Sequence, residues 1–275
     1  MQLEDALRRY PKENLTRTPT PLQFLPHLSE QLRGRVYIKR DDLTDLAMGG
    51  DKARKLEYEI AQARAGGANV LVTCGSSQSN HARLTTAAAR KVGMECAVIL
   101  SHDMWRVMNG NLLAVHLMGA QVHVVNAKDH WDLEKYATDC CAQLRQEGKT
   151  PHFIPVSGTT PHRCLGYVGC GLEIIHQLAG DDIHLDAVYA PFGTGGIFTS
   201  LLFAMRNNGV PCPFFGISVN RDQSQCLENL DTWWDALAEL LPADSSVTKE
   251  PFEVFIQSIG SGYGDPTEAC LDGSC

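Results

Sequence analysis

Three short segments of this chain place groups that can do chemistry at the starts of helices. In Gly49-Gly50-Asp51-Lys52-Ala53-Arg54-Lys55-Leu56-Glu57-Tyr58, a lysine follows a glycine pair at the entrance of a helical pattern. Downstream, Gln78-Ser79-Asn80-His81 puts small polar groups after a short apolar run, at the entrance of the next helix. A lysine held by packing beside hydroxyl and amide groups can form a Schiff base with a carbonyl cofactor. The third segment, Ala190-Pro191-Phe192-Gly193-Thr194-Gly195-Gly196-Ile197, is a Gly-rich turn between a strand and a helix, where backbone N–H groups can wrap a phosphate. A lysine, a polar loop and a phosphate cup together point to pyridoxal 5'-phosphate.

Each segment also has a plain structural use. Most lysines are solvated, and Arg54 and Lys55 would extend a solvated basic face. Ser79 or Asn80 could serve as the N-cap of the following helix, a use compatible with an anion resting on its free N–H groups. Glycines at 193, 195 and 196 also suit a tight turn and close helix–strand packing. The run is neither a spaced G-x-G-x-x-G nor a G-K-[ST] phosphate loop.

The elements that must position these groups follow from periodicity. Apolar runs predict strands at 70–72, 97–100, 122–125, 153–156, 187–189 and 214–219. Helical patterns fall at 80–91, 111–118, 131–145, 165–178 and 197–206. A further helix carries Leu56, Ile60 and Ala63 on one face and stops at Gly66-Gly67. The segment 242–250 reads as an exposed connection. Alternation of this kind predicts an α/β fold of parallel sheets with helices on both faces and ligands at the carboxyl ends of the strands.

Bulk properties narrow the function classes. A chain of 275 residues can bury a sizeable core, and its 44% hydrophobic and 20% charged content is that of a globular protein. A net charge of −8 argues against a nucleic-acid partner. No apolar run is long enough for a membrane span, and the first residues lack the apolar core of a secretion signal, so a cytoplasmic location is expected. The ten cysteines form no C-x-x-C pair and read as buried reduced thiols, and the ten histidines have no compact ligand spacing, so no metal site is expected.

Taken in order along the chain, these motifs resemble the pyridoxal-phosphate enzymes that include 1-aminocyclopropane-1-carboxylate deaminase, D-cysteine desulfhydrase and L-cysteate sulfo-lyase, of the tryptophan-synthase-β-like fold (fold type II). The matching segments are Thr18-Pro19-Thr20-Pro21-Leu22, Val36-Tyr37-Ile38-Lys39-Arg40-Asp41-Asp42 and the run from Gly49 to Tyr58. Gln78 to Arg83, Leu165-Gly166-Tyr167-Val168, Gly193 to Gly196 and Gly262-Tyr263-Gly264 follow. The resemblance implies a two-domain architecture of open twisted sheets, with residues 1–50 and 161–275 as a large cofactor-binding domain and 51–160 as a small one. It implies that Lys52 carries the cofactor and that Asn80 bonds its phenolic oxygen. Gly193, Thr194, Gly195 and Gly196 would hold the phosphate. Ser79, Asn80 and His81 would face the substrate carboxylate, and Ser79 and Tyr263 would join Lys52 as catalytic groups. A small amino acid is the expected substrate and a homodimer the expected assembly.

Two features depart from the family pattern. Position 51 is Asp where the family usually has Asn, adding a carboxylate beside the lysine that favours its ammonium form. The chain also ends at Cys275, soon after Gly264-Asp265-Pro266-Thr267-Glu268, where the family continues toward a second active-site tyrosine and the partner of the pyridine nitrogen. The expected reaction is β-elimination of the desulfhydrase or sulfo-lyase type, giving pyruvate and ammonia. The alternatives are deamination of 1-aminocyclopropane-1-carboxylate and a C-terminally shortened, non-catalytic cofactor-binding protein.

Overall fold

The computed structural model describes residues 3–101, 107–127, 130–156, 159–244, 246–257, 259–260 and 267–271. Its contacts divide the chain into two units, Pro11–Gly158 and a second one made of Met1–Tyr10 with Thr159–Cys275.

The chain opens with α1 (Leu3–Leu7) and then enters the Pro11–Gly158 unit through β1 (Leu22–Phe24), α2 (Pro26–Leu32) and β2 (Tyr37–Lys39). There follow α3 (Lys52–Ala65), β3 (Val70–Gly75), α4 (Asn80–Lys91), β4 (Glu95–Ser101), α5 (Gly110–Leu117), β5 (Gln121–Val125), α6 (His130–Gln146) and β6 (Pro151–Ile154). β1 and β2 pair antiparallel, whereas β3 to β6 form one parallel sheet in the order β5-β4-β3-β6.

Every residue of β3 is buried, which explains its unbroken apolar run: parallel strands covered on both faces need no polar alternation. Leu71 of β3 and Cys96, Val98 and Leu100 of β4 pack with α3, α4 and α5. The alternate residues Val70, Val72, Cys74, Ala97 and Ile99 pack with Leu133, Ala137, Cys141 and Leu144 of α6. α3 turns Ala53, Leu56, Ile60 and Ala63 inward at helical spacing, all fully buried. Burial of Leu56 and Ile60 contributes roughly 1.5–3 kcal/mol each. The strand order reverses beside β3, with β4 on one side and β6 on the other, so the carboxyl end of β3 lies at a switch point where α/β sheets bind ligands.

The second unit continues from α1 with α7 (Pro161–Gly180), β7 (Val188–Phe192), α8 (Gly196–Asn207), β8 (Phe214–Ser218), α9 (Gln223–Leu240), β9 (Phe252–Phe255) and α10 (Glu268–Leu271). Its sheet is parallel, in the order β7-β8-β9. α7 begins with Pro161 behind Thr160, whose hydroxyl accepts from the Arg163 N–H. α9 begins with a reciprocal cap between Asp222 and Gln225.

The domain boundary expected at residue 50 falls at residue 10. Leu15 and Leu46 belong to the same core as Leu56 and Ile60. The buried Glu57 carboxylate of α3 accepts from the Leu15 N–H (3.2 Å), the Thr16 N–H (3.1 Å) and the Thr16 hydroxyl (2.8 Å), sewing the segment after residue 10 onto α3. The strand expected at 153–156 is displaced to Pro151–Ile154, in register with Val70–Thr73. α2, α9, β1, β2 and β9 are elements that periodicity alone did not assign.

Candidate active site

Lys52 is the first residue of α3, half-buried, and its ammonium donates to the neighbouring Asp51 carboxylate. Burial pushes the Asp51 carboxyl up, but the Lys52 and Lys55 ammoniums outweigh it and hold the group below its ordinary range. The turn that delivers Lys52 is built on glycine for steric reasons. Gly49 has φ +69°, and a Cβ there would lie 1.8 Å from the Asp42 carbonyl oxygen. Gly50 has φ +131°, and its N–H reaches the Asp41 carbonyl (3.0 Å) and the Thr44 hydroxyl (3.0 Å).

A buried ion pair supports that turn from the α3 side. Arg54, 2% exposed, grips Asp41 with two parallel bonds of 2.9 Å and donates a third to the Thr20 hydroxyl at 3.0 Å. Arg54 is therefore not part of a solvated face: it anchors the approach to the lysine, and Lys55 is equally buried. From the other side α4 contributes Arg83, which donates to the carbonyls of Ala47 and Gly49.

The loop between β3 and α4 carries the polar segment. Ser79 is the N-cap of α4, its hydroxyl accepting from the Ala82 N–H at 3.1 Å. A Cβ at Gly75 would lie 2.8 Å from that hydroxyl oxygen, so the close approach requires glycine. Asn80 opens the helix and is exposed. His81 is 4% exposed, with Nε2 3.0 Å from the Thr73 hydroxyl, which donates to the Ile154 carbonyl at 2.9 Å. The His81 ring is thus anchored between β3 and β6, while its backbone N–H lies in the first turn of α4. Gln78 accepts the Asn111 N–H (2.9 Å) and its own carbonyl takes the Asn111 amide (2.7 Å), fastening the loop to the start of α5. Asn111, Arg83 and Thr73 were not singled out from sequence, since nothing local marks a distant partner.

In the second unit, β7 runs into Gly193-Thr194-Gly195 and α8. Gly195 caps α8 with φ +83°, and a Cβ there would meet the Phe192 ring at 3.0 Å. A Cβ at Gly196 would lie 2.7 Å from a Thr159 methyl carbon. The loop carbonyls are engaged from outside: Gly193 accepts from Arg221 (2.9 Å) and Thr194 from the Trp233 indole (2.7 Å). The Thr194 and Thr159 hydroxyls lie 2.6 Å apart. The first-turn N–H groups of α8 have no intrahelical acceptor and carry the positive end of the helix dipole.

A phosphate fits that donor set of backbone N–H groups and neutral hydroxyls around a glycine cradle, and a carbonyl fits the amine of Lys52. Tyr263 lies outside the described residues. Among the described residues no cysteine forms a disulfide, and burial raises the Cys74 and Cys96 thiols to about 12 and about 11. Also among the described residues, no three potential metal ligands cluster, and no helix is long and apolar enough to cross a membrane.

The chain is similar to several known proteins. A D-cysteine desulfhydrase from Serratia proteamaculans is 34% identical over 276 residues, covering 98% of this chain and 82% of that protein. A Pyrococcus horikoshii protein with the provisional name 1-aminocyclopropane-1-carboxylate deaminase is 35% identical over 259 residues, covering 94% of this chain and 78% of that one. The crystal structure of an ACC deaminase homologue superposes with a TM-score of 0.83 at 35% identity, over 92% of this chain and 76% of that chain. A threonine deaminase from tomato (Solanum lycopersicum), at 19% identity and a TM-score of 0.65 over 84% of this chain and 62% of that chain, shares the fold. The family model described as pyridoxal-phosphate dependent enzyme matches residues 14–274, and the chain belongs to that family.

Proposed function

We propose that the protein is a lyase that removes a β-substituent and the amino group from a small amino acid such as D-cysteine or L-cysteate, releasing pyruvate and ammonia, with Lys52 as the cofactor-bearing lysine. The observation that carries this reading is the placement of Lys52: the first residue of a helix, half-buried, behind a glycine turn that two buried arginines hold.

Pyridoxal phosphate, when bound, supplies an electron sink for charge at the substrate α-carbon. The chain's own groups divide the remaining work. Lys52 Nζ would hold the cofactor and, when free, would take the substrate α-proton as the positioned base. Asp51, its carboxyl held below the ordinary range, accepts from the Lys52 ammonium and places a negative charge beside it. The Asn80 amide donates to the cofactor's phenolic oxygen. The first-turn N–H groups of α4, His81's among them, face the substrate carboxylate, as does the Ser79 hydroxyl, which retains lone pairs and a proton beyond its cap bond. The His81 ring holds that turn to the sheet through Thr73. Gly193, Thr194, Gly195 and Gly196 cradle the phosphate through backbone N–H groups and the Thr194 hydroxyl. Tyr263 joins them as an acid/base or positioning group beside the reacting carbon, and the working form is a cytoplasmic homodimer.

The second reading, opening of 1-aminocyclopropane-1-carboxylate to a four-carbon keto acid, is supported by the equally similar Pyrococcus relative. A panel of D-cysteine, L-cysteate and 1-aminocyclopropane-1-carboxylate, assayed for ammonia and for the identity of the keto acid, separates the two. Pyruvate with sulfide or sulfite supports β-elimination. A four-carbon keto acid from the cyclopropane alone replaces it with the second reading, and cofactor binding without any product removes both.

A further inference from the structure

The backbone that leads into Lys52 is wound against its preference. Asp45, Ala47 and Met48 have φ of +68°, +42° and +71°, and Gly49 and Gly50 follow at +69° and +131°. Side chains with a Cβ rarely adopt this region, and a run of such residues persists only where its surroundings impose it. Arg83 reaches this segment from α4. Its side chain is buried, at 6% exposure, and donates from Nη1 to the Ala47 carbonyl and from Nη2 to the Gly49 carbonyl (3.1 Å), one prong on each side of Met48. The next residue of α4, Leu84, closes on Gly50, where a Cβ would come within 3.2 Å.

Arg83 stands three residues beyond Asn80 on α4, the spacing that puts two residues on one helix face. The guanidinium therefore joins the turn before Lys52 to the helix face that begins with Asn80. A lysine ammonium could not do the same: it is a single point of charge, whereas the two carbonyls are met by a planar fork. Both acceptors are backbone carbonyls of the strained turn.

We propose that Arg83 is a positioning residue for cofactor attachment: its fork holds the left-handed 45–50 turn so that the Lys52 amine meets the cofactor carbonyl in register with Asn80. The inference rests on the assignment of Lys52 as the cofactor-bearing lysine. Without the fork the turn relaxes toward ordinary φ values and Lys52 moves relative to α4, while the cores of both units are untouched.

The test uses the full chain, Arg83→Ala and Arg83→Lys, with pyridoxal 5'-phosphate as the probe. Borohydride reduction and peptide mapping of the unsubstituted chain come first. A pyridoxyl group on a residue other than Lys52 removes the assignment and this inference together. With the label on Lys52, cofactor affinity and attachment rate are read from visible absorbance, beside far-UV circular dichroism. Arg83→Ala is expected to load about 100-fold more weakly, the scale of an ångström misplacement of a reacting group. Methylguanidinium is expected to restore loading and methylammonium is not, and Arg83→Lys is expected to stay impaired. Loading unchanged in Arg83→Ala, or Arg83→Lys behaving as the unsubstituted chain, overturns the positioning role and leaves the Lys52 assignment standing. If Arg83→Ala fails to fold, Arg83→Lys decides by itself.

Discussion

Asp51 distinguishes the chemistry of this chain at the scale of single residues. Its carboxylate accepts from the Lys52 ammonium, and it lies below the ordinary carboxylate range because Lys52 and Lys55 together outweigh the effect of burial. A depressed carboxylate contributes stability above the unfolded value near pH 4, and that contribution is lost as the pH falls through the folded value. Asp51 is therefore charged at neutral pH. Asp51→Asn removes that charge at nearly constant shape and is expected to raise cofactor occupancy, measured by absorbance across a pH series. An unchanged curve would show that the ion pair does not control attachment. The Asp51–Lys52 pairing was legible in the sequence because its two members adjoin in the chain. Arg83 was not: its partners at 47 and 49 lie far away in sequence, and a buried arginine looks the same in a one-dimensional pattern as a solvated one.

At the scale of elements, each helix start in the proposed site depends on a specific local device. Ser79 caps α4, so Ser79→Ala is expected to lower stability by about 1 kcal/mol through the cap alone. Under the proposed function it also weakens substrate binding, which a rise in KM beyond the stability effect would reveal. Gly195 combines φ +83° with the Phe192 ring at 3.0 Å from any added Cβ. Gly195→Val is expected to displace the α8 N-terminus and weaken pyridoxal-phosphate affinity by about 100-fold or more in a spectroscopic titration; unchanged affinity would make the loop a packing turn only. The starts of α4 and α8 were readable from sequence because a polar or glycine residue follows an apolar run. β1 and β2, each three residues long and without a buried residue, offer no such contrast. They exist through pairing with each other, which periodicity within either one cannot express.

For the whole molecule, alternation of apolar runs and helical patterns was enough to anticipate parallel sheets, because the buried strands β3 and β4 have to be apolar on both faces. The domain boundary was not legible, since residues 11–50 join their unit through Leu15, Leu46 and bonds to Glu57 rather than through a continuous sheet. A ligand that binds only the folded chain stabilises it by mass action, so pyridoxal phosphate at 100 times its Kd is expected to add about 2.7 kcal/mol. That corresponds to a rise in Tm of roughly 5 °C or more for a chain of this size. Lys52→Ala, which keeps the phosphate cradle and loses the covalent link, is expected to show a smaller rise. The most direct test of the account remains chemical: borohydride reduction of the loaded protein followed by peptide mapping. The account predicts one pyridoxyl group, on Lys52. A pyridoxyl group on Lys39 or Lys55, or on no lysine, would contradict it.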